Sequence, residues 1–171
     1  MSEIYKLIEA GSPIMKVRLS SCSSNLNRDK IEKKLIDSME HYQGIGLSAN
    51  QIGIMERVFV MYSDVKKRET ITCFNPEITT YSKTEIIMDE GCITYPGLWL
   101  KVKRPDGIEV QYEDKAGEIQ AMFGLECRIF LHEYDHMEGV DFTQKVSKLK
   151  LKRAQKRLSK MVRKSKLVQN Q

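Results

Sequence analysis

No run of 18 or more apolar residues occurs in the 171-residue chain, so no segment is a candidate transmembrane helix. The first ten residues mix both charge signs into their apolar positions and lack a secretory apolar core, which sets a cytoplasmic location as the expectation. Cysteine is scarce. The four present, Cys22, Cys73, Cys92 and Cys127, are too few for a disulfide scaffold and are expected as free thiols or metal ligands. No Pro-rich linker, low-complexity segment or internal repeat divides the chain. Histidine is rarer still, with His41, His132 and His136 the whole complement. Acidic residues vanish after Asp141: residues 142–171 carry eleven Lys or Arg and no Asp, Glu or His. Residues 1–141 hold 17 basic and 23 acidic side chains, so a body of net charge −6 ends in a cationic tail.

With 41% hydrophobic and 30% charged residues, the chain has enough apolar content for one buried core, which excludes a disordered class. Ile31, Leu35, Ile36 and Met39 mark one face of a helix over residues 28–42, stopped by Gly44. Strands are predicted at 56–62, 70–74, 83–88 and around 101–112 from their β-branched and aromatic content. Asp106-Gly107 and residues 114–117 read as turns of a hairpin meander. A second helix is predicted over 125–138, capped by Gly139. In the tail, Leu151, Ala154, Leu158, Met161 and Val162 recur at helical spacing, which predicts an amphipathic helix docked by a narrow apolar stripe. The expected fold is α+β: an antiparallel or mixed sheet around the late helix, with a C-terminal amphipathic helix.

That late helix carries the strongest chemical signal, His132-Glu133-Tyr134-Asp135-His136. A spacing of four puts both imidazoles on one helix face, where they can share a metal, and Glu133 beside them can take a proton from water. A catalytic site of this kind needs a third ligand and one open position. Downstream holds no histidine or acid past Asp141, so the third ligand comes from upstream: His41, a cysteine or a carboxylate. Cys92 stands out, since Gly91 before it lets backbone approach closely. Cys127 and Cys73 read as core, Cys22 as an exposed thiol, and His41 as a surface or capping residue. The segment Gly44-Ile-Gly-Leu-Ser-Ala-Asn-Gln51 is glycine-rich and small. It fits the wall of an extended-peptide site, with backbone groups of Ile45 and Gly46 pairing with substrate and Gln51 offering an amide N–H to an oxyanion.

Together, G-I-G-L-S-A-N-Q (44–51), E-G-C-I-T (90–94) and H-E-Y-D-H-M-E-G (132–139) resemble, in order and spacing, the three signature motifs of peptide deformylases. The resemblance implies removal of the formyl group from the N-terminal formylmethionine of new polypeptides. It implies Cys92, His132 and His136 as metal ligands, Glu133 as general base and then acid, and Gln51 with the Ile93 N–H as oxyanion donors. Substrate contacts are implied at Ile45, Gly46, Gly91, Trp99 and Ile129. The family usually runs on Fe(II), with zinc, nickel or cobalt able to occupy the site. Residues 1–145 would form the catalytic domain and 146–171 a basic helix and tail, which in bacterial relatives docks on the ribosome. A monomer is expected. Ser48 and Thr94 stand where the family more often has Ala and Ser, Leu131 where it often has Gln, and Trp99 near where many members carry a peptide-gripping Arg.

Two other readings compete. A metallopeptidase could use the same helix, although the missing downstream ligand argues against it. A ribosome- or nucleic-acid-binding protein could hold a structural metal, which requires a closed four-ligand site completed by His41 or a second cysteine.

Overall fold

The computed structural model describes residues 4–113 and 119–169, the last three by their main chain alone. Helix α1 (Arg28–His41) starts where the Asn27 side chain accepts the Lys30 N–H at 2.9 Å, and it buries Ile31, Leu35 and Met39. Strands β1 (Gly46–Ser48), β2 (Val58–Asp64) and β3 (Glu69–Phe74) form one antiparallel sheet in that order. β2 is apolar on both faces because both are covered. Val58, Val60 and Tyr62 join Ile31, Leu35 and Met39 under α1, while Phe59 and Met61 join Ile129, Phe130 and Met137 of the second helix. The Phe59 and Phe130 rings meet edge to face, 5.0 Å between centroids.

Strand β4 (Glu77–Tyr81) pairs with β7 (Gly107–Gln111), which pairs with β8 (Gln120–Phe123). Between them in the chain, β5 (Glu85–Gly91) and β6 (Trp99–Pro105) form a separate two-stranded ribbon. All pairings among the described residues are antiparallel. The Asp106-Gly107 turn thus splits the window expected around 101–112 into β6 and β7, which belong to different sheets. The turn expected at 114–117 lies outside the described residues.

Helix α2 (Gly124–Met137) runs through the middle, with Cys127 through Glu133, His136 and Met137 all buried. It stops at Gly139, whose φ of +72° suits glycine, and a Cβ there would lie 2.5 Å from the Lys16 carbonyl oxygen. Helix α3 (Lys148–Gln169) packs Leu151, Ala154 and Leu158 against Leu98, Leu100, Val102 and Phe142. The apolar stripe ends sooner than its spacing predicts: Met161 is 69% exposed and Val162 44%. Beyond Leu158 the helix has left the body's surface, so those two positions have nothing to cover them. The α+β expectation with a C-terminal helix holds; one sheet is replaced by three antiparallel ones.

Candidate metal centre and active site

One turn of α2 separates His132 from His136, and their rings stand nearly perpendicular, 5.0 Å apart. Cys92 enters from the turn that follows β5. The ligand atoms of the three residues lie within 4.8 Å of one another, the only such group among the described residues. Cys92 Sγ sits 3.4 Å from His136 Nε2. One thiolate and two imidazoles is the donor chemistry of a site for a borderline-soft divalent ion, and these spacings fit a single ion between them. His41 lies exposed at the end of α1, edge-on to Tyr42, and the other cysteines are outside the group. No fourth protein ligand closes the site among the described residues, which removes the ground for a purely structural metal.

The ligands are oriented from behind. His132 Nδ1 is 3.2 Å from Glu90 Oε2, which leaves Nε2 to face Cys92 and His136. Glu90 is itself gripped by Arg104, through Nε at 2.7 Å and Nη2 at 3.0 Å, and by Arg128 at 2.7 Å. Arg104 reaches on to Asp135 at 2.6 Å, and Asn50 donates to the His136 carbonyl at 2.7 Å. Burial would raise the Glu90 pKa, but hydrogen bonds from His132 and Arg104 and the Arg104 charge hold it well below the usual carboxylate range. Burial likewise opposes charge on His132, yet contacts with Cys92 and Glu90 raise its proton affinity well above normal. His136 goes the other way, pushed well down by burial and then by the charges on His132 and Arg104.

Glu133 occupies the wall beside the ligands. Its carboxylate lies against the backbone of β1, so close that a Cβ on Gly46 would fall 2.5 Å from Oε1. Ser48 Oγ donates to Oε2 at 3.2 Å. Burial raises the Glu133 pKa to about 7, with the His132 charge and the Ser48 bond pulling the other way, which matches a proton carrier working near neutrality. Gln51 is fixed at both ends. Its Oε1 accepts the Ser48 N–H at 2.9 Å, and its Nε2 therefore points at Thr94 Oγ1 (3.0 Å) and Cys92 Sγ (3.4 Å).

Gln51, Cys92, His132 and Glu133 open onto a cavity of about 700 Å³, and Ile45, Gly46, Gly91, Ile93, Trp99 and Ile129 also line it. His136 is fully buried behind that wall and joins the site through the ligand group alone. β1 is an edge strand with β2 on one side only, and no described residue takes up the Ile93 N–H. Trp99 is 63% exposed at the rim, its indole lying 3.2–3.3 Å from where a Cβ on residue 91 would stand. Ile129 is mainly core and gives only its edge to the wall.

The support behind the ligands is only partly legible in the sequence. Glu90 stands two residues from Cys92 in the same motif, and a carboxylate so close to a ligand is a usable signal. Arg104, Arg128 and Asp135 had none, because their partners lie 14 to 42 residues away. Cys22 corrects an expectation: it is half-buried, donates to the Arg57 carbonyl at 3.4 Å, and its thiol pKa is raised by burial.

Residues 4–152 match the polypeptide deformylase family. The chain is 31% identical over 163 residues to the peptide deformylase of Thermotoga petrophila, spanning 94% of this chain and 98% of that protein. Its fold superposes on peptide deformylase from Plasmodium falciparum with a TM-score of 0.81 at 30% identity, over 95% of this chain and 98% of that one. The class I type b peptide deformylase of Acinetobacter baumannii, solved with Met-Ala-Ser bound, gives a TM-score of 0.77 at 26% identity, over 85% and 100% of the two chains.

Proposed function

The chain belongs to the peptide deformylase family and removes the N-terminal formyl group of new polypeptides; we propose that it does so with one divalent cation held by Cys92, His132 and His136. The observation that carries this reading is the convergence of those three ligand atoms within 4.8 Å beside Glu133 and Gln51. When bound, such a cation supplies Lewis acidity, polarising a carbonyl and making water a better nucleophile near neutral pH. The donor set suits Fe(II), with zinc, nickel and cobalt as alternatives, and an iron-loaded enzyme would be sensitive to oxygen through its thiolate.

A formyl-Met peptide lies extended along the cavity, its main chain against the open edge of β1 at Ile45 and Gly46 and against Gly91 opposite. Ile129 and Trp99 contribute apolar wall to the side chains. Glu133 takes a proton from the attacking water as its oxygen bonds to the formyl carbon. Gln51 Nε2 and the Ile93 N–H donate to the formyl oxygen as it gains negative charge. The carbon–nitrogen bond then breaks, Glu133 returns the proton to the leaving amine, and formate and a free N-terminus result. We place the enzyme in the cytoplasm as a monomer, with residues 1–145 as the catalytic part. The basic stretch 146–171 then contacts the ribosome.

Formate release from a short formyl-Met peptide, with metal content measured on the same sample, tests the reading. Glu133→Ala should keep the metal and lose almost all turnover, whereas Cys92→Ala should lose both. Full turnover in either variant would sink the assignment.

A further inference from the structure

Two of the three ligands stand on α2, but Cys92 lies in a seven-residue connection between β5 and β6. A ligand on a loop retains a metal only if its distance from the others is fixed by supporting contacts. Tyr95 makes those contacts. Its N–H donates to the Cys92 carbonyl at 2.8 Å and its carbonyl accepts the Leu98 N–H at 3.1 Å, closing the loop on itself. Its hydroxyl donates to Asp141 Oδ2 at 2.6 Å, across 46 residues of sequence. Asp141 lies four residues past the end of α2 and caps the short turn Phe142–Lys145, and its Oδ1 accepts the Thr143 N–H at 2.8 Å, which fixes the acceptor. The Tyr95 ring stands edge-on to Phe142 at 5.6 Å, and Phe142 in turn faces the His132 ring at 5.7 Å. Burial and the Asp141 carboxylate push the Tyr95 pKa up, which keeps the hydroxyl protonated as a donor. The mechanism above gives Tyr95 no task.

The geometry points to Tyr95 and Asp141 as a strap that holds the Cys92 thiolate at chelating distance from His132 and His136, with Tyr95 a positioning residue for metal retention. It rests on the ligand assignment proposed above. A charge-assisted hydrogen bond across the site is a stronger tie than packing alone, because it fixes direction as well as distance.

The test uses the full chain loaded with Co(II), whose thiolate absorption reports the Cys92 bond, and follows metal loss to excess chelator. Tyr95→Phe keeps the ring and removes only the hydroxyl; Asp141→Asn keeps the Thr143 contact and replaces the accepting oxygen with a donor. Each single variant should release metal roughly 10- to 100-fold faster, the range for loss of an outer-shell partner. The double variant should be no worse than either single, and the metal-free protein should lose only the few degrees of melting temperature that one hydrogen bond is worth. Release at the wild-type rate from Tyr95→Phe overturns the strap. So does additivity of the two substitutions, or an equal loss of metal-free stability, which would make the contact a general fold tie. The ligand assignment fails separately, if the wild type takes up no cobalt or Cys92→Ala retains the thiolate band.

Discussion

Gln51 has little freedom to do anything but donate toward the ligands. The Ser48 N–H holds its oxygen, so the amide cannot flip without losing that bond and the Thr94 contact together. Removing a donor preset in this way costs about 100- to 1,000-fold in rate, and Gln51→Ala should lose that much formate release while its metal content stays at one per chain. Turnover within a few-fold of wild type would remove Gln51 from the oxyanion site. Arg104 argues the other way, toward stability. It is buried between Glu90 and Asp135, and Arg104→Met would leave Glu90 facing only Arg128 and His132. Breaking a buried pair from one side costs about 3–5 kcal/mol, which urea unfolding would measure directly. A loss under 1 kcal/mol would mean that Arg128 alone satisfies Glu90. The contrast explains what was legible residue by residue. His132, Glu133 and His136 announce themselves because helix geometry turns a spacing of four into a shared face. Arg104 and Arg128 are single cations among 28, and only the folded chain shows that they are buried, as Arg57 is.

Elements with a long apolar signal are legible in the sequence, and those without one are not. α1, β2, β3 and α2 fall within a few residues of their predicted windows, because each buries several side chains in a regular pattern. β1 has three residues and lies inside a glycine-rich stretch, β4 is mostly exposed, and β8 has four residues. β1 and β8 owe their extended form to the partner strand more than to their own propensity, while β4 has β-favouring Ile78, Thr79, Thr80 and Tyr81 but buries too little to show an apolar pattern. β1 is nonetheless the element the chemistry depends on, since α2 presses Glu133 directly onto it. Gly46→Ala should therefore act on catalysis more than on folding. The added methyl overlaps Glu133 Oε1, and the carboxylate must swing away from Ser48 and the ligands to make room. We expect a loss of kcat on the order of 100-fold, the scale of general acid–base catalysis, with metal binding retained. A fully active variant would show that Glu133 tolerates displacement and that its position against β1 is incidental.

Across the whole molecule, charge and shape are segregated together. The acidic body contains the cavity, while α3 carries the cations and loses contact with the body after Leu158. A basic helix whose last described turns are exposed on every side contributes nothing to the core there, so its cations are free to meet a partner or solvent. Phosphate-rich surfaces reward such a helix by counterion release, and binding then weakens linearly in log affinity against log salt. Deleting residues 160–171 removes Lys160, Arg163, Lys164 and Lys166 and spares the docked positions Leu151, Ala154 and Leu158. The truncated chain should release formate from a short formyl-Met peptide at the full rate, because the described side chains it lost, residues 160–166, are all exposed and join no core cluster with the Cys92 loop. Its affinity for ribosomes at low salt should fall, and the slope of log affinity against log salt should flatten by about three, from a factor near 0.7–0.9 per cation. Sedimentation with ribosomes over a salt series measures both quantities. An unchanged slope would mean that these cations are solvated surface and that the tail's charge serves solubility alone.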